Sequence, residues 1–276
     1  MQRLETMRSM FSHLMKLTEK LTMMVQQTLT QLRTLKLEGM AAGLEEQLTL
    51  PSNASLSFED RLGFLVEREV AHRSSGRLKR LLHKARLKYS QASLEDVDTR
   101  ASRGLEAHLL ASLAHGEWID RGQTVLVCGP TGVGKTWLAC ALAQKACRLG
   151  KSAYYVRLSR LLEELRVARG DGTHKRRLVA LAKLDVLVLD DWGLHALDAY
   201  GREDLLEIID DRAEQRATVI AAQLPAEHWH GWIGDATIAD AILDRILHRA
   251  HRLMLKGETL RRPPPGDKPA PARSAS

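Results

Sequence analysis

The segment GPTGVGKT, from Gly129 to Thr136, constrains the fold more than any other part of this sequence. It follows an apolar stretch, TVLVC, that is typical of a buried strand, and it stands at the start of a helix. Glycines at such a junction let backbone N–H groups close around phosphate oxygens, and the helix N-terminus adds its positive end. The segment therefore predicts a phosphate-binding loop between a strand and a helix.

Individual residues of this loop have separate predicted roles. Lys135 is expected to reach the terminal phosphates of ATP, and the hydroxyl of Thr136 is expected to bind Mg²⁺. ATP and Mg²⁺ are thus the predicted cofactors. The predicted nucleotide-binding residues are Gly129, Pro130, Thr131, Gly132, Val133, Gly134, Lys135 and Thr136.

A second motif, DVLVLDD, supplies carboxylates at the end of another apolar strand. It predicts Asp190 as a metal ligand and Asp191 as the group that orients or deprotonates an attacking water. Many ATPases of this kind have Asp-Glu there, and because Asp191 is one methylene shorter we expect slow turnover. The alternative is that Asp191 only caps the next turn.

Two further groups are candidates for catalysis. Gln223 ends the strand in TVIAAQLP, where a polar side chain can sense the γ-phosphate or hold the lytic water, although a polar residue is also common in a turn. Four arginines lie late enough in the chain to act across a subunit interface, and their positions alone do not choose between them. They are Arg212, Arg245, Arg249 and Arg252.

From residue 123 onward, strand patterns alternate with helix patterns, which favours an α/β fold with a mostly parallel sheet. The five predicted strands are TVLVC, AYYVR, DVLVLD, TVIAA and HRLML. The second crossover is long and is split at Gly170, Asp171 and Gly172, which predicts two helices joined by a basic turn. The first 110 or so residues have helical periodicity, broken at Pro51 and restarted by a capping box at Ser57 and Asp60.

These patterns divide the chain into four expected parts. Residues 1–28 form a helical extension, 29–110 an all-α domain for DNA binding or oligomerisation, and 111–260 the nucleotide-binding domain. Residues 261–276 form a proline-rich disordered tail. Only about twenty residues follow the fifth strand, so no C-terminal helical lid is expected.

Basic residues are concentrated in two stretches of a chain whose net charge is +7. Each stretch can contact DNA phosphates or simply form a solvated surface. Neither has the interleaved aromatic residues of a single-strand stacking groove, so duplex backbone contact is favoured. The predicted DNA-binding residues are Arg73, Arg77, Arg80, Lys84 and Lys88 in the first stretch, and Arg169, Lys175, Arg176 and Arg177 in the second. In the first stretch, helical spacing predicts that Arg77, Arg80, Lys84 and Lys88 lie on one helical face.

Cysteines and hydropathy point to an intracellular setting. Cys128, Cys140 and Cys147 lack metal-binding spacing and have apolar neighbours, which favours reduced core thiols. Charged residues, among them Glu5 and Lys16, interrupt residues 1–25, so a signal segment or membrane span is not expected. The predicted location is the cytoplasm, without a membrane partner.

Several blocks in a fixed order resemble one family. LKLEGMAAGLEEQL, LSFEDRLGFLVEREV, GPTGVGKTWLACALA, VLVLDDWG, AAQLP, IADAILDRILHRAHRL and LKGETLR are similar to the successive blocks of IstB, the transposition helper ATPase. The resemblance extends from about residue 32 to residue 261. IstB is an AAA+ ATPase of the helicase-loader clade, and a P-loop AAA+ core is the fold that the resemblance implies.

This resemblance implies a bacterial ATPase, slow alone and stimulated by DNA or a partner. It also implies a homo-oligomeric clamp on duplex DNA that deforms the target and directs an IstA-type transposase to it. By analogy with the family, Arg245 is the arginine finger, Gln223 the sensor, and Arg261 a further sensor candidate. The missing lid implies that a neighbouring subunit helps to close the nucleotide site.

Three other functions fit part of the pattern. A replicative helicase loader of the DnaC type shares the ATPase core but uses its N-terminal part to hold the helicase. A DNA-architectural protein with a structural ATP site requires negligible turnover. A metabolite kinase requires an acceptor pocket and a lid, of which the sequence has no convincing sign.

Overall fold

The computed structural model describes residues 2–49, 56–99 and 103–260, in which a helical region precedes alternating strands and helices. The helices are α1 (Gln2–Thr34), α2 (Glu38–Thr49), α3 (Phe58–Ala85), α4 (Ala107–His115), α5 (Glu117–Asp120), α6 (Lys135–Arg148), α7 (Leu158–Gly170), α8 (His174–Ala182), α9 (Ala199–Arg212), α10 (Trp229–Ile233) and α11 (Ala236–Leu247). The strands are β1 (Thr124–Cys128), β2 (Ala153–Arg157), β3 (Val186–Trp192), β4 (Ala217–Ala222) and β5 (His251–Met254).

The chain forms two compact units, which divide within α3 between Arg77 and Leu78. The first unit contains α1, α2 and the beginning of α3, and the second contains every strand. The domain limits expected at residues 28, 110 and 260 stay predictions. The break expected at Pro51 and the tail after residue 260 lie outside the described residues.

The five strands form one parallel sheet in the order β2-β3-β4-β1-β5, which confirms the α/β prediction. Each predicted strand is present, and the second crossover consists of α7 and α8 as expected. The central strands are apolar because helices cover both faces of the sheet. Val125 and Val127 of β1 point into one buried cluster, and Leu126 and Cys128 point into the other.

Local signals in the sequence were confirmed at two places. The hydroxyl of Ser57 accepts a hydrogen bond from the N–H of Asp60 at 3.1 Å, so the predicted cap begins α3. The three cysteines are free and buried, as expected of core thiols. Burial raises the pKa of Cys140 to about 11, so this thiol is protonated at neutral pH. Among the described residues, no helix is long and apolar enough to cross a membrane.

The Arg212 side chain stabilises the amino-terminal edge of the sheet. Only 1% of this residue is exposed, and its guanidinium donates to the carbonyl oxygens of Leu181 at 2.7 Å and Leu184 at 3.0 Å. It also donates to the carbonyl of Ala217 and to the hydroxyl of Thr218. One buried side chain therefore satisfies acceptors at the end of α8 and at the start of β4.

Replacing Arg212 by Met should destabilise the second unit by about 3 kcal/mol or more, because several buried carbonyl oxygens would lose their donor. Urea unfolding followed by tryptophan fluorescence measures the change. The control is Arg216→Met, which removes an arginine that is 45% exposed and pairs with Asp185 at 2.7 Å; its expected cost is under about 1 kcal/mol. Equal costs for the two variants would contradict the role of Arg212.

Candidate functional site

Sequence-predicted residues meet at the carboxyl edge of the sheet. The phosphate loop follows β1, Gln223 follows β4, and Asp190 lies near the end of β3. The strands β3, β4 and β1 are direct neighbours, so these three segments end side by side. Ligands of open parallel sheets bind at this edge, which makes it the candidate site.

Backbone geometry explains the glycines of the phosphate loop. Gly129, Gly132 and Gly134 have φ values of 151°, 85° and 100°, a region that side chains disfavour. A Cβ atom at Gly129 would collide with the carbonyl oxygen of Leu255, and one at Gly132 would collide with the Thr259 side chain. The loop leads directly into α6, whose first residue is Lys135. The Lys135 amine donates to the carbonyl of Pro130 at 2.8 Å and is therefore held at the loop.

The Asp190 carboxylate is the buried acceptor of this site, with 2% of the residue exposed. The Thr136 hydroxyl donates to it at 2.9 Å, and the Tyr155 hydroxyl donates to the same oxygen, Oδ2, at 2.7 Å. Burial and the bond to Asp190 raise the pKa of Tyr155 far above its usual value. Tyr155 is therefore protonated and remains a donor to Asp190.

The donor set of Thr136 and Asp190 fits Mg²⁺. A hydroxyl and a carboxylate are hard oxygen ligands, and they are already close enough to share a hydrogen bond. Mg²⁺ usually takes one or two protein oxygens and completes its shell with phosphate oxygens and water. Bound between these residues and a nucleotide, the ion would neutralise phosphate charge.

Asp191 lies at an irregularity near the end of β3. Its φ is 58°, and the pairing of β3 with β4 shifts register between Leu189 and Trp192. The Asp191 carboxylate lies 3.6 Å from Nε of Arg157, the last residue of β2. Asp191 is thus paired with a cation, and its predicted role toward water stays a prediction.

Gln223 contacts the phosphate loop directly. The Thr131 hydroxyl donates to Oε1 of Gln223 at 2.7 Å. The residue that the sequence offered as a sensor therefore has a physical connection to the segment expected to hold phosphate. A change in the position of Thr131 would be transmitted to the end of β4.

An apolar cavity of about 180 Å³ lies beside the loop. Trp137 and Leu138 of α6 line it together with Leu255 and Leu260 from the segment after β5. The guanidinium of Arg103 also lines it and donates to the carbonyl of Val133. An apolar cavity with few polar groups, next to a phosphate loop, has the character of a site for a flat organic ring.

Arg245 lies at the opposite edge of the sheet. Its Nε is 2.6 Å from Oδ1 of Asp210, in the last turn of α9, shortly before β4 begins. The phosphate loop follows the other end of the strands, and five residues of strand span about 16 Å. Arg245 is therefore far from the loop of its own chain. Arg212 is buried and bonded, which excludes it as an arginine that acts on a neighbour.

Residues of the first predicted DNA-binding stretch do not share one helix. The helix α3 ends at Ala85 and Arg86 has a φ of 50°, so Lys88 lies beyond the helix. The expectation that Lys88 continues a helical face with Lys84 is therefore wrong. The structure places Arg77, Arg80 and Lys84 on α3, as expected, while Arg73 pairs with Glu69 at 2.6 Å.

Within the second stretch, two of the four arginines and lysines are engaged inside the fold. Arg169 pairs with the buried Asp204, and Arg177 pairs with Glu164. Lys175 and Arg176 are exposed in the first turn of α8. The DNA-binding role stays a prediction for all four, and these contacts favour Lys175 and Arg176.

Several residues of the site had no signal in the sequence analysis. Tyr155, Arg157 and Arg103 come close to the loop or to its carboxylates only through strand register and through the path of distant segments. The alternation of side chains along β2 places Tyr155 on one face of the sheet, but the residue opposite it depends on pairing. Arg261, the further sensor candidate, lies outside the described residues.

The fold and the site define a P-loop nucleotide-binding protein. Residues 30–264 match the family model described as "IstB-like ATP binding protein". The chain is 57% identical over 204 residues to an insertion-sequence ATP-binding protein of Pseudomonas fluorescens, which covers 74% of this chain and 88% of that protein. A second such protein, from Sinorhizobium fredii (strain NBRC 101917 / NGR234), is 47% identical over 240 residues, which are 87% of this chain and 98% of that protein.

This chain belongs to the IstB-like ATP-binding protein family, which confirms the resemblance read from its motifs. Solved structures with the same fold include the DnaC helicase loader, at a TM-score of 0.52 and 22% identity, covering 61% of this chain and 99% of that one. The DnaI structure also has a TM-score of 0.52 and 22% identity, and the match covers 64% of this chain and 94% of that one. At these identities the similarity establishes the fold alone.

Replacing Tyr155 by Phe should weaken ATP binding about fivefold to tenfold when Mg²⁺ is present, because Asp190 would lose a donor that orients it. Binding without Mg²⁺ should be unchanged. Isothermal titration calorimetry measures both. The matched control is Tyr154→Phe, since the Tyr154 hydroxyl has only a 3.5 Å contact with Arg177. Equal effects of the two substitutions on ATP binding would contradict the role of Tyr155 as the donor that orients Asp190.

Proposed function

We propose that this protein is an ATP-dependent regulator of transposition that assembles as a homo-oligomer on duplex DNA and directs a transposase of the IstA type to the target. The observation that carries the ATPase part is the cluster of Lys135, Thr136 and Asp190 around one phosphate loop. Its named relatives are insertion-sequence proteins, which supports transposition as the process.

The proposed chemistry is hydrolysis of ATP to ADP and phosphate. Lys135 would bind the terminal phosphates, and Thr136 with Asp190 would hold Mg²⁺. Asp191 would orient or deprotonate water, and Gln223 would report the γ-phosphate through Thr131. The pairing of Asp191 with Arg157 supports slow turnover without a partner, because the carboxylate has to leave Arg157 before it can contact an attacking water.

The proposed nucleotide pocket extends from the loop into the cavity lined by Trp137 and Leu260. The adenine ring would occupy that cavity, since the cavity is largely apolar and lies next to the phosphate loop. Closure of the site on its other side would come from a neighbouring subunit, in keeping with the position of Arg245 at the far edge of the sheet.

ATP should promote assembly on DNA, and Lys135→Ala should abolish it because the terminal phosphates lose their cation. Sedimentation with duplex DNA and a non-hydrolysable ATP analogue tests this, with Lys145→Ala on the same helix as the matched control. The control should assemble like the native protein. Normal assembly of Lys135→Ala with the analogue would refute the nucleotide dependence proposed here.

Arg245 should act on the nucleotide of a neighbouring subunit. Asp191→Asn and Arg245→Ala should each reduce ATP turnover by about a thousandfold. In an equal mixture of the two variants, each subunit keeps either Asp191 or Arg245. About a quarter of the head-to-tail interfaces would then combine an intact Asp191 from one subunit with an intact Arg245 from its neighbour. Turnover should therefore recover to about a quarter of the native value, whereas failure to recover would exclude action across the interface. Arg121→Ala, which removes an exposed arginine paired with Glu117, is the control.

A helicase loader is the second candidate, and the solved DnaC and DnaI folds are why it is kept. It would use a protein partner in place of DNA. Pull-down with the transposase and with a replicative helicase separates the two functions. Selective capture of the helicase, without DNA binding, would favour the loader.

A further inference from the structure

A cationic groove of about 450 Å³ opens beside β2, which is an edge strand of the sheet. Four of its lining residues are basic: Arg86, Lys88, Arg157 and Arg160. None of the lining residues that the structure describes is acidic. Exposed cations gathered around a concave surface create a positive potential that attracts anions.

One of these cations, Arg86, is held in place at some cost. Arg86 follows the end of α3 with a left-handed φ of 50°, a position that glycine or asparagine usually occupies. Such strain is about 1 kcal/mol for other residues and is concentrated at functional sites. The Arg86 guanidinium lies 6.0 Å from the centroid of the Tyr154 ring, which directs it toward the groove.

Two more of the cations, Arg157 and Arg160, lie at the beginning of α7. Arg157 is the N-cap residue and makes no side-chain capping bond, and Arg160 is in the first turn, which contains no acidic residue. Cations are unfavourable at the positive end of a helix unless an anion lies nearby. Within the described residues, their carboxylate contacts are Asp191 for Arg157 and Glu164 for Arg160, and neither acid lines the groove.

Tyr154 connects the two basic stretches that are far apart in the sequence. Its ring is approached by Arg86 and by Arg177, each at 6.0 Å. Arg86, which follows α3, and Arg177 of α8 therefore converge on one tyrosine of β2. The sequence places them in separate basic stretches, and the tertiary structure brings them together at Tyr154, which lines the groove.

We infer that this groove binds the sugar–phosphate backbone of duplex DNA, with Arg86 and Arg160 as contact residues that the sequence patterns did not assign. The inference rests on the proposed DNA-binding function and gives it a site. Three of the four cations are arginines, whose planar guanidinium groups pair with phosphate through two hydrogen bonds. No base-stacking surface is needed, so binding is independent of base sequence.

The test is the double variant Arg86→Asn with Arg160→Gln. Asparagine tolerates the left-handed conformation at position 86, and glutamine keeps the helix at position 160 while avoiding repulsion with Glu164. Neither residue belongs to the nucleotide site. The matched control is Lys183→Gln, which removes one exposed cation at the other end of α8.

Fluorescence anisotropy of a labelled 20-base-pair duplex over a range of salt concentrations gives the readout. The slope of log affinity against log salt should fall by about two in the double variant, and affinity should weaken 10- to 100-fold at about 0.1 M salt. The control should keep the native slope. ATP affinity should be unchanged in both proteins, and neither should melt at a lower temperature than the native protein, since asparagine relieves the strain at position 86.

The outcomes separate the groove from the function. If the native protein binds duplex DNA and the double variant keeps the same salt slope, the proposed DNA contact at the groove is refuted, while the proposed DNA-binding function is retained. If the native protein shows no salt-dependent duplex binding, the proposed function fails and the groove fails with it. If the double variant loses binding only to single-stranded DNA or to a polyglutamate probe, and not to duplex DNA, the assignment of the groove to duplex DNA is wrong.

Discussion

The burial of the Asp190 carboxylate governs the arrangement of the nucleotide site. A carboxylate that is 2% exposed must be satisfied by donors, and the hydroxyls of Thr136 and Tyr155 supply them. One donor follows the phosphate loop and the other belongs to β2, so a single buried charge connects β1, β2 and β3. The loop, the oxygens of Thr136 and Asp190 proposed to hold Mg²⁺, and the edge strand consequently keep a common geometry.

The same sheet separates functions between its two edges. The phosphate loop, Asp190 and Gln223 occupy the carboxyl edge, whereas Arg245 and the buried Arg212 occupy the amino edge. A nucleotide bound at one edge has no access to Arg245 of the same chain. This separation is the physical basis for proposing an assembly in which neighbouring subunits complete each other.

The segment after β5 contributes to the site. The N–H of Leu255 donates to the carbonyl of Cys128 at 2.8 Å, and the N–H of Leu260 donates to the carbonyl of Gly132 at 2.9 Å. These bonds hold Leu260 against the cavity beside the loop. Beyond a family resemblance, the sequence has no signal for these contacts, since no local pattern marks a segment that bonds to a loop about 130 residues away.

The sequence by itself determined the fold class, the five strands, the split crossover and the phosphate loop, because these depend on local composition and on periodicity. It also placed Thr136, Asp190 and Gln223, since a motif at a strand end has a known position in a parallel sheet. Only the tertiary structure decided that Tyr155 serves Asp190, that Arg157 holds Asp191, that Lys88 leaves the helix and that Arg86 meets Arg177 at Tyr154. Those relations depend on strand register and on where one helix ends, and neither quantity is encoded in a local pattern.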